Sequence, residues 1–236
     1  AFRERERIQE LFESVTGARL MHNYIRIGGI KEDVEKDFKE KVHKLIDHLK
    51  ESIDECDDLL SNNEMFLVRT KDIGIITADE AIDLGLSGPS LRASGVLEDI
   101  RVTDSYSIYD RFDFGIPIGS KGDCWDRYFV RVQEMRESIK IIEQALADLP
   151  EGEIITPIKG MVRPPKGEVF VRTESPRGDL GVFVVSDGSD KPYRVKVRPP
   201  SFVNLQALEL MLRDTYLADA VLVLGSIDII MGEVDR

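Results

Sequence analysis

The chain has 236 residues, 42% hydrophobic and 32% charged, so it is long enough for one large domain or two small ones. A formal net charge of −12 argues against a sequence-independent nucleic-acid binder and against electrostatic docking on an anionic membrane surface. The two cysteines, Cys56 and Cys124, form no CxxC motif, so the sequence encodes neither a disulfide framework nor a thiolate metal site.

The first stretch, AFRERERIQELFESV, is already in helical register, with Ile8, Leu11, Phe12 and Val15 on one face and Gly17 as its natural end. Neither an initiator Met nor a capping residue precedes this pattern, so we expect a piece of a longer polypeptide. The sequence contains no recognisable signal peptide or transmembrane span. This composition is typical of a soluble protein from a reducing compartment.

A long amphipathic helix is predicted over Asp33–Ser61, after a loop that Gly28–Gly29 punctuates. His22 lies beside this loop with no second ligand nearby, which favours a packing or hydrogen-bonding histidine over a site residue. His43 and His48 are five residues apart. That spacing does not place two imidazoles on one helix face, so we predict no metal site there.

Residues 62–123 are less regular. Within them, Thr77–Glu80 matches a capping box that starts a short helix, and Gly85 is expected to end it. The glycine spacing matches neither a phosphate-binding loop nor a dinucleotide fingerprint. Long ordered loops of this kind tend to be functional or to form interfaces.

A second long helix is predicted over Asp123–Leu149, because its apolar residues recur at alternating steps of four and three. This seam favours antiparallel packing against Asp33–Ser61. After Pro150, β-branched segments separated by turn signals predict a small antiparallel sheet, and Phe202–Leu217 should form a further amphipathic helix. The predicted strands are Gly167–Thr173, Leu180–Ser186 and Tyr193–Arg198.

The predicted fold class is therefore α+β, mainly α. A long-helix bundle should occupy residues 1–150, with an irregular insert at 62–123. A β-rich subdomain with a helix and a pocket-lining tail should occupy residues 151–236.

The tail, Ala218–Arg236, has an apolar segment at Ala220–Leu224 that is expected to break at Gly225–Ser226. A single carboxylate, Asp228, then lies among isoleucines and a methionine, and a buried carboxylate usually has a partner or a function. The run is too short to cross a bilayer, so we predict a buried element that lines a pocket. The alternative is a core strand or helix end in which Asp228 caps a nearby helix.

Several phrases resemble the D subunit of NADH-quinone oxidoreductase, respiratory complex I. They are VTGARLMHNYIRIGG, GLSGPSLRASG, GDCWDRYFVRVQEMRESIKIIEQAL, ESPRGDLGVFVVSDGSDKPYRVKVRPPSF and LGSIDIIMGEVDR. The resemblance covers nearly the whole chain. The wording SDGSDKPYRVKVR is also similar to the equivalent subunit of archaeal F420H2 dehydrogenases, and the family shares its fold with the large subunit of [NiFe] hydrogenases.

The resemblance implies site residues. Hydrogenases carry a Cys-x-x-Cys metal-ligand pair near the C-terminus, and the corresponding section here, Ser226–Ile230, has no thiol, so a metal-free cavity follows. In the family this cavity receives the quinone headgroup, with Asp228 and Ile230 lining it and Asp228 as a candidate proton relay. Glu174 and Arg177 of ESPRG match a motif near the old metal site, where an Arg177–carboxylate pair would hold the pocket's shape. The alternative for Arg177 is a surface arginine on a β-turn.

The resemblance also implies the assembly. The chain would bind no cofactor itself, while the neighbouring B subunit holds a [4Fe–4S] cluster and quinone is the substrate. The expected partners are the B and C subunits and the membrane arm, on the cytoplasmic side of the cell membrane. The family's N-terminal half, with the histidine and tyrosine that bind the headgroup, would lie before Ala1. The fragment alone should therefore be inactive, and its uncovered helix faces should make it self-associate.

Other functions stay open at this point. The electron donor could be NADH, F420H2 or ferredoxin, and the acceptor a quinone or methanophenazine. A [NiFe]-hydrogenase-type enzyme is disfavoured because the thiolate ligands are missing. A non-catalytic scaffold derived from a hydrogenase subunit, in which the helical seams bind sister subunits, is the remaining alternative.

Overall fold

The computed structural model describes residues 2–158 and 160–235. This part of the chain is α+β and mainly helical, as predicted. Its helices are α1 (Phe2–Thr16), α2 (Phe38–Leu60), α3 (Glu64–Thr70), α4 (Ala78–Asp83), α5 (Pro89–Ala93), α6 (Ile100–Thr103), α7 (Cys124–Ala147), α8 (Pro200–Asn204), α9 (Leu208–Met211), α10 (Ala220–Ile227) and α11 (Met231–Asp235). Its strands are β1 (Ile25–Arg26), β2 (Gly29–Ile30), β3 (Gly167–Ser175), β4 (Gly178–Ser186) and β5 (Arg194–Arg198). None of the described helices is both long and apolar enough to span a membrane.

The two long helices, α2 and α7, pack against each other in antiparallel orientation, which confirms the prediction. Contacts between them pair later residues of α2 with earlier residues of α7. They are Lys50–Glu143 (2.6 Å), Asp57–Arg136 (2.7 Å) and Ser61–Tyr128 (3.1 Å). The seam buries an apolar cluster that consists of Val42, Ile46, Ile53, Val132, Ile139 and Leu146. One face of helix α7 therefore packs against α2, and its other faces can contact other parts of the chain.

The predicted start of α2 at Asp33 is wrong, because the helix begins at Phe38. The Asp33 carboxylate accepts a hydrogen bond from the amide of Val34 (2.7 Å), and a turn follows in which the Phe38 amide donates to the carbonyl of Glu35. Aspartate side chains that bond to nearby backbone compete with helix formation in this way.

A second apolar cluster includes Cys124, the first residue of α7. Residues from 76–124 meet residues from 207–227 there: Ile76, Ala81, Leu86, Leu91, Cys124, Ala207, Met211, Val223 and Ile227. Short helices supply much of it, and the predicted capping box of Thr77 and Glu80 is present at the start of α4. The stretch that looked irregular in sequence thus supplies many of the most buried side chains. The cluster therefore combines residues that precede residue 150 with residues that follow it.

The C-terminal sheet has the order β3-β4-β5 and is antiparallel throughout, as predicted. Ser175 pairs with Gly178, so Pro176 and Arg177 form a two-residue turn at one end of the sheet. Near this turn, the amide of Asp179 donates to the Ser87 hydroxyl (3.1 Å). Farther from the turn, Arg198 donates to the carbonyl of Gly85 (2.8 Å). The turn end of the sheet is therefore fixed against the loop that precedes α5.

Two predictions for the C-terminal region are wrong. Phe202–Leu217 is not one helix: short helical pieces end at Met211, and Asp214 has a left-handed backbone with φ of +57° that no helix can continue through. In the tail, α10 runs through Gly225–Ser226, with the Ser226 hydroxyl donating to the carbonyl of Val223 (2.7 Å). The break comes at Asp228, whose φ is +58°.

Candidate functional site

Two of the sequence phrases that carry the resemblance meet where Gly88 contacts Gly178. Both glycines have positive φ angles, +63° and +134°. A methyl group on Gly88 would lie 2.7 Å from the carbonyl oxygen of Arg177, and one on Gly178 would lie 2.7 Å from the carbonyl carbon of Ser87. Only glycine permits this approach. The contact brings the N-terminus of α5 against the β3–β4 turn and so positions Glu174 and Arg177.

Arg177 pairs with Asp228 across this junction. Its Nε lies 3.2 Å from the Asp228 Oδ2 and also donates to the Asp228 carbonyl oxygen (3.1 Å). The carboxylate is 44% exposed, so the expectation of a buried Asp228 is wrong. The left-handed turn at the end of α10 directs it away from the apolar cluster. Arg177 occupies the β-turn, as the alternative for this residue predicted, yet its side chain is partly buried and carries the ion pair.

Two further arginines hold the end of α10. Arg131 donates to the carbonyls of Ser226 (2.7 Å) and Ile227 (3.0 Å), and Arg127 donates to the Ser226 hydroxyl (2.8 Å). The last carbonyls of a helix lack partners within the helix and carry partial negative charge, so cations stabilise them. Residues 226–228 are thereby held by three guanidinium groups.

Arg92 is the centre of a buried charged cluster that sequence reasoning missed. It is 2% exposed, and it donates to Glu134 (2.7 Å) and to Glu174 (3.0 Å). Asp99 lies 3.6 Å away and also pairs with Arg101 (2.6 Å). Burial of so many charges is tolerated only when each is paired and hydrogen-bonded. Glu174 is therefore held inside this cluster.

Burial and the neighbouring arginines shift the pKa values of Glu174 and Asp99 in opposite directions. Burial raises the pKa of Glu174, because the attraction of Arg92 does not offset the loss of water and the charge of Asp99 adds to the rise. Burial acts on Asp99 in the same direction, but Arg101 and Arg92 outweigh it, so the pKa of Asp99 is lowered. Neighbouring carboxyl groups thus differ, and Glu174 accepts a proton more readily than Asp99.

Two clefts meet beside these groups. The charged cleft, about 380 Å³, is lined by Arg92, Arg101, Tyr109, Glu134, Glu174 and Pro176 among others. The apolar cleft, about 530 Å³, is lined by Phe66, Cys124, Tyr128, Val132, Val221 and Leu222 among others. Arg131, Met135 and Asp228 line both. An apolar ring in the apolar cleft would therefore lie next to Arg131 and Asp228, which also line the charged cleft.

The remaining predicted residues are placed differently. Ile230 lines neither of these two clefts; its amide donates to the Ser201 hydroxyl (3.3 Å) instead. His22 packs against Phe12 with the two rings tilted and their centres 4.7 Å apart, and it forms a hydrogen bond with the Thr16 hydroxyl (3.0 Å). Among residues 2–158 and 160–235, no group of three or more His, Cys, Asp or Glu side chains is arranged to hold a metal ion. The structure thus brings together Glu174, Arg177 and Asp228, but not Ile230.

Three of the residues that the sequence reading missed share one signal. Arg127, Arg131 and Glu134 recur at steps of four and three along α7, beside its apolar seam. Such a charged row ordinarily faces solvent, and it is the burial of Arg127 in the folded chain that identifies a polar interface here. Arg92, on a helix of only five residues, offers no such pattern.

Comparisons with known proteins match the chain along its whole length. The family model described as the 49 Kd subunit of respiratory-chain NADH dehydrogenase matches residues 1–164 and 155–236. Relatives named as the D subunit of NADH-quinone oxidoreductase include those of Desulforamulus reducens (51% identical over 99% of this chain), Dehalococcoides mccartyi (52% over 100%) and Bacillus thuringiensis subsp. konkukian (50% over 100%). The chain spans 64% of the length of each of these relatives. It belongs to the family of the 49-kDa subunit of respiratory-chain NADH dehydrogenase.

Proposed function

We propose that this chain is part of a subunit of a proton-pumping NADH:quinone oxidoreductase and shapes its quinone-reduction site. One observation carries the proposal: Asp228, held by Arg177, lies where an apolar cleft meets a cleft lined by buried charges. Family membership and the names of the relatives support the same conclusion. Ligand sites typically combine apolar walls with a few well-placed polar groups, as this one does.

The chemistry suits the arrangement. A quinone headgroup is an apolar ring with two carbonyl oxygens, and its reduction to quinol takes up two electrons and two protons. The apolar cleft would hold the ring, while Arg131 at its end would donate to a ring oxygen. The Asp228 side chain is partly exposed to water, and Arg177 fixes its position beside the cleft. We therefore infer that it would relay protons from water to the ring. Glu174 lines the neighbouring charged cleft and would act with it.

The electrons would come from a [4Fe–4S] cluster in the neighbouring B subunit, since this chain's part is to line the pocket. The C subunit and the membrane arm complete the proposed set of partners, with the complex on the cytoplasmic side of the cell membrane. The fold would be that of the hydrogenase large subunit, with Ser226–Ile230 at the position of the lost thiolate ligands. The D-subunit names of the relatives support this assembly.

Asp228→Asn in the full complex tests the proposal. The change keeps the shape and removes the proton-accepting carboxylate, so quinone reductase activity should fall about 10²–10⁴-fold, the range that a positioned acid or base contributes. Assembly should persist, because the Asp228 side chain is 44% exposed and a partly exposed ion pair contributes little to stability.

Asp58→Asn, on an exposed position of α2, is the matched control for the loss of one negative charge. Its activity should equal that of the unmodified complex. Normal turnover of an assembled Asp228→Asn complex would remove Asp228 from the reaction. A second test labels the tail with a reactive quinone analogue and adds unlabelled quinone as the competitor. If the tail is not labelled competitively, the scaffold alternative is supported instead.

A further inference from the structure

Three arginines contact the end of α10, and in the described part of the chain only one of them pairs with a carboxylate there. Arg127, Arg131 and Arg177 all contact residues 226–228, while Asp228 supplies the one carboxylate among those residues. Within the described ranges 2–158 and 160–235, neither Arg127 nor Arg131 has a carboxylate within 4.0 Å. Of the three arginines at this junction, only Arg177 therefore has a carboxylate partner among the described residues.

Of the two unpaired arginines, Arg127 is fully enclosed. It is 0% exposed, and its remaining donors bond to the carbonyls of Gly122 (2.7 Å) and Gly74 (2.9 Å) and to the sulfur of Cys124 (3.3 Å). Its hydrogen bonds tie α7 to the loops around it. A structural role accounts for Arg127.

Arg131 differs in two respects. It lines both clefts, and its Nε is buried without a hydrogen-bond partner among the described residues. A buried guanidinium donor left unmatched is costly, so natural proteins rarely keep one without use. A ligand in either cleft would lie against this side chain and could supply an acceptor to its guanidinium group.

Arg131 stays charged in this setting. Burial lowers its pKa to about 10, with Asp228 and Glu134 opposing the shift and Arg127 and Arg177 adding to it. The group is therefore positive at neutral pH. The charged groups that act on it come from α7, from the end of α10 and from the β3–β4 turn.

We propose that Arg131 selects for negative charge on a ring oxygen of the ligand, and so binds an anionic quinoid headgroup more tightly than a neutral one of the same shape. This inference rests on the proposed function and extends it to a residue that stabilises the ring after it gains an electron from the partner's cluster. No covalent bond forms or breaks at Arg131. Its role is a charge-assisted hydrogen bond to the oxygen on which the electron's charge accumulates.

Two matched probes test this in the full complex. One is 2-hydroxy-1,4-naphthoquinone, which is ionised at neutral pH, and the other is 2-methyl-1,4-naphthoquinone, a neutral ring of similar size. The unmodified complex should bind the anion about 10- to 100-fold more tightly, the range of a charge-assisted hydrogen bond. Arg131→Gln should abolish this preference, and Arg131→Lys should keep part of it.

The ratio of the two affinities separates the proposal from a structural role, because a disturbed pocket would weaken both probes alike. Arg136→Gln is the matched control: Arg136 is also on α7 but pairs with α2 at Asp54 and Asp57, and it should leave the ratio unchanged. An assembled Arg131→Gln complex that keeps the preference would overturn the inference. So would an unmodified complex that binds both probes equally, a result that needs no variant to assemble. If neither probe binds the unmodified complex, the proposed function fails as well.

Discussion

Replacement of Arg92 by methionine probes the buried charged cluster. Methionine fills similar space without charge, so the change leaves Glu134, Glu174 and Asp99 buried with Arg101 as the remaining cation of the cluster. Two hydrogen bonds, of 2.7 Å and 3.0 Å, are lost from Arg92 to carboxylates that are 17% and 6% exposed. Because these two carboxylates are largely buried, water can replace few of the hydrogen bonds that they lose.

Removal of one partner from a buried ion pair typically costs about 3–5 kcal/mol, because the other charge is left uncompensated. In a chain of this length, each kcal/mol lowers the unfolding midpoint by about 2–4 °C, so we expect a fall of about 6–20 °C. The loss should shrink in acid, where protonation of the glutamates removes their charge.

The assay is thermal unfolding followed by circular dichroism at neutral and acid pH. Arg136→Met is the matched control, since it breaks an ion pair between α2 and α7 whose arginine is 31% exposed. Partly exposed pairs contribute about 0–1 kcal/mol, so this control should shift the midpoint by a few degrees at most. If Arg92→Met and Arg136→Met have the same midpoint, the cluster does not stabilise the fold as we argue.

Two further outcomes follow from the same geometry. Because burial raises the pKa of Glu174 above its usual 4.5, the stability from that group is fully present below about pH 4.5 and is lost as pH rises through the folded pKa. Glu174→Gln should remove this part of the pH dependence in urea unfolding; identical pH profiles for variant and unmodified chain would contradict it. Gly88→Ala should cost more than about 2 kcal/mol, since its positive φ and the nearby backbone exclude a side chain. Gly225→Ala, with open space within α10, should be neutral or stabilising, and equal losses for the two glycines would refute the close-approach argument.

Local patterns in the sequence were enough for the two long helices, the three-stranded sheet and the start of α4. The steps of four and three along α7 predicted both the helix and its antiparallel partner, because the period of the apolar residues and the period of the helix coincide. The turn signals around Pro176 and Asp187 separated the strands correctly, and Thr77–Glu80 predicted the start of α4. The motif resemblance also identified the family that the comparisons then showed.

The site depended on contacts that no local pattern encodes. Arg177 and Asp228 are 51 residues apart, and Arg92 and Glu174 are 82 apart. Their pairing depends on the approach of Gly88 to Gly178 and on where α10 ends. The sequence analysis ended the apolar segment at Gly225–Ser226 and expected a buried element around Asp228, because isoleucines and a methionine surround that carboxylate. In the folded chain, Arg131 and Arg127 hold the helix together through Ser226 and Ile227.

By itself, then, the sequence determined the family, the long helices and the small sheet, since these depend on spacing within one segment. Tertiary structure alone decided which charges are buried and which carboxylate each arginine contacts. It also decided that no carboxylate of the described residues lies within 4.0 Å of the Arg131 guanidinium. The free energy of a buried charge is set by neighbours distant in the chain, so it becomes defined only once those neighbours are in place.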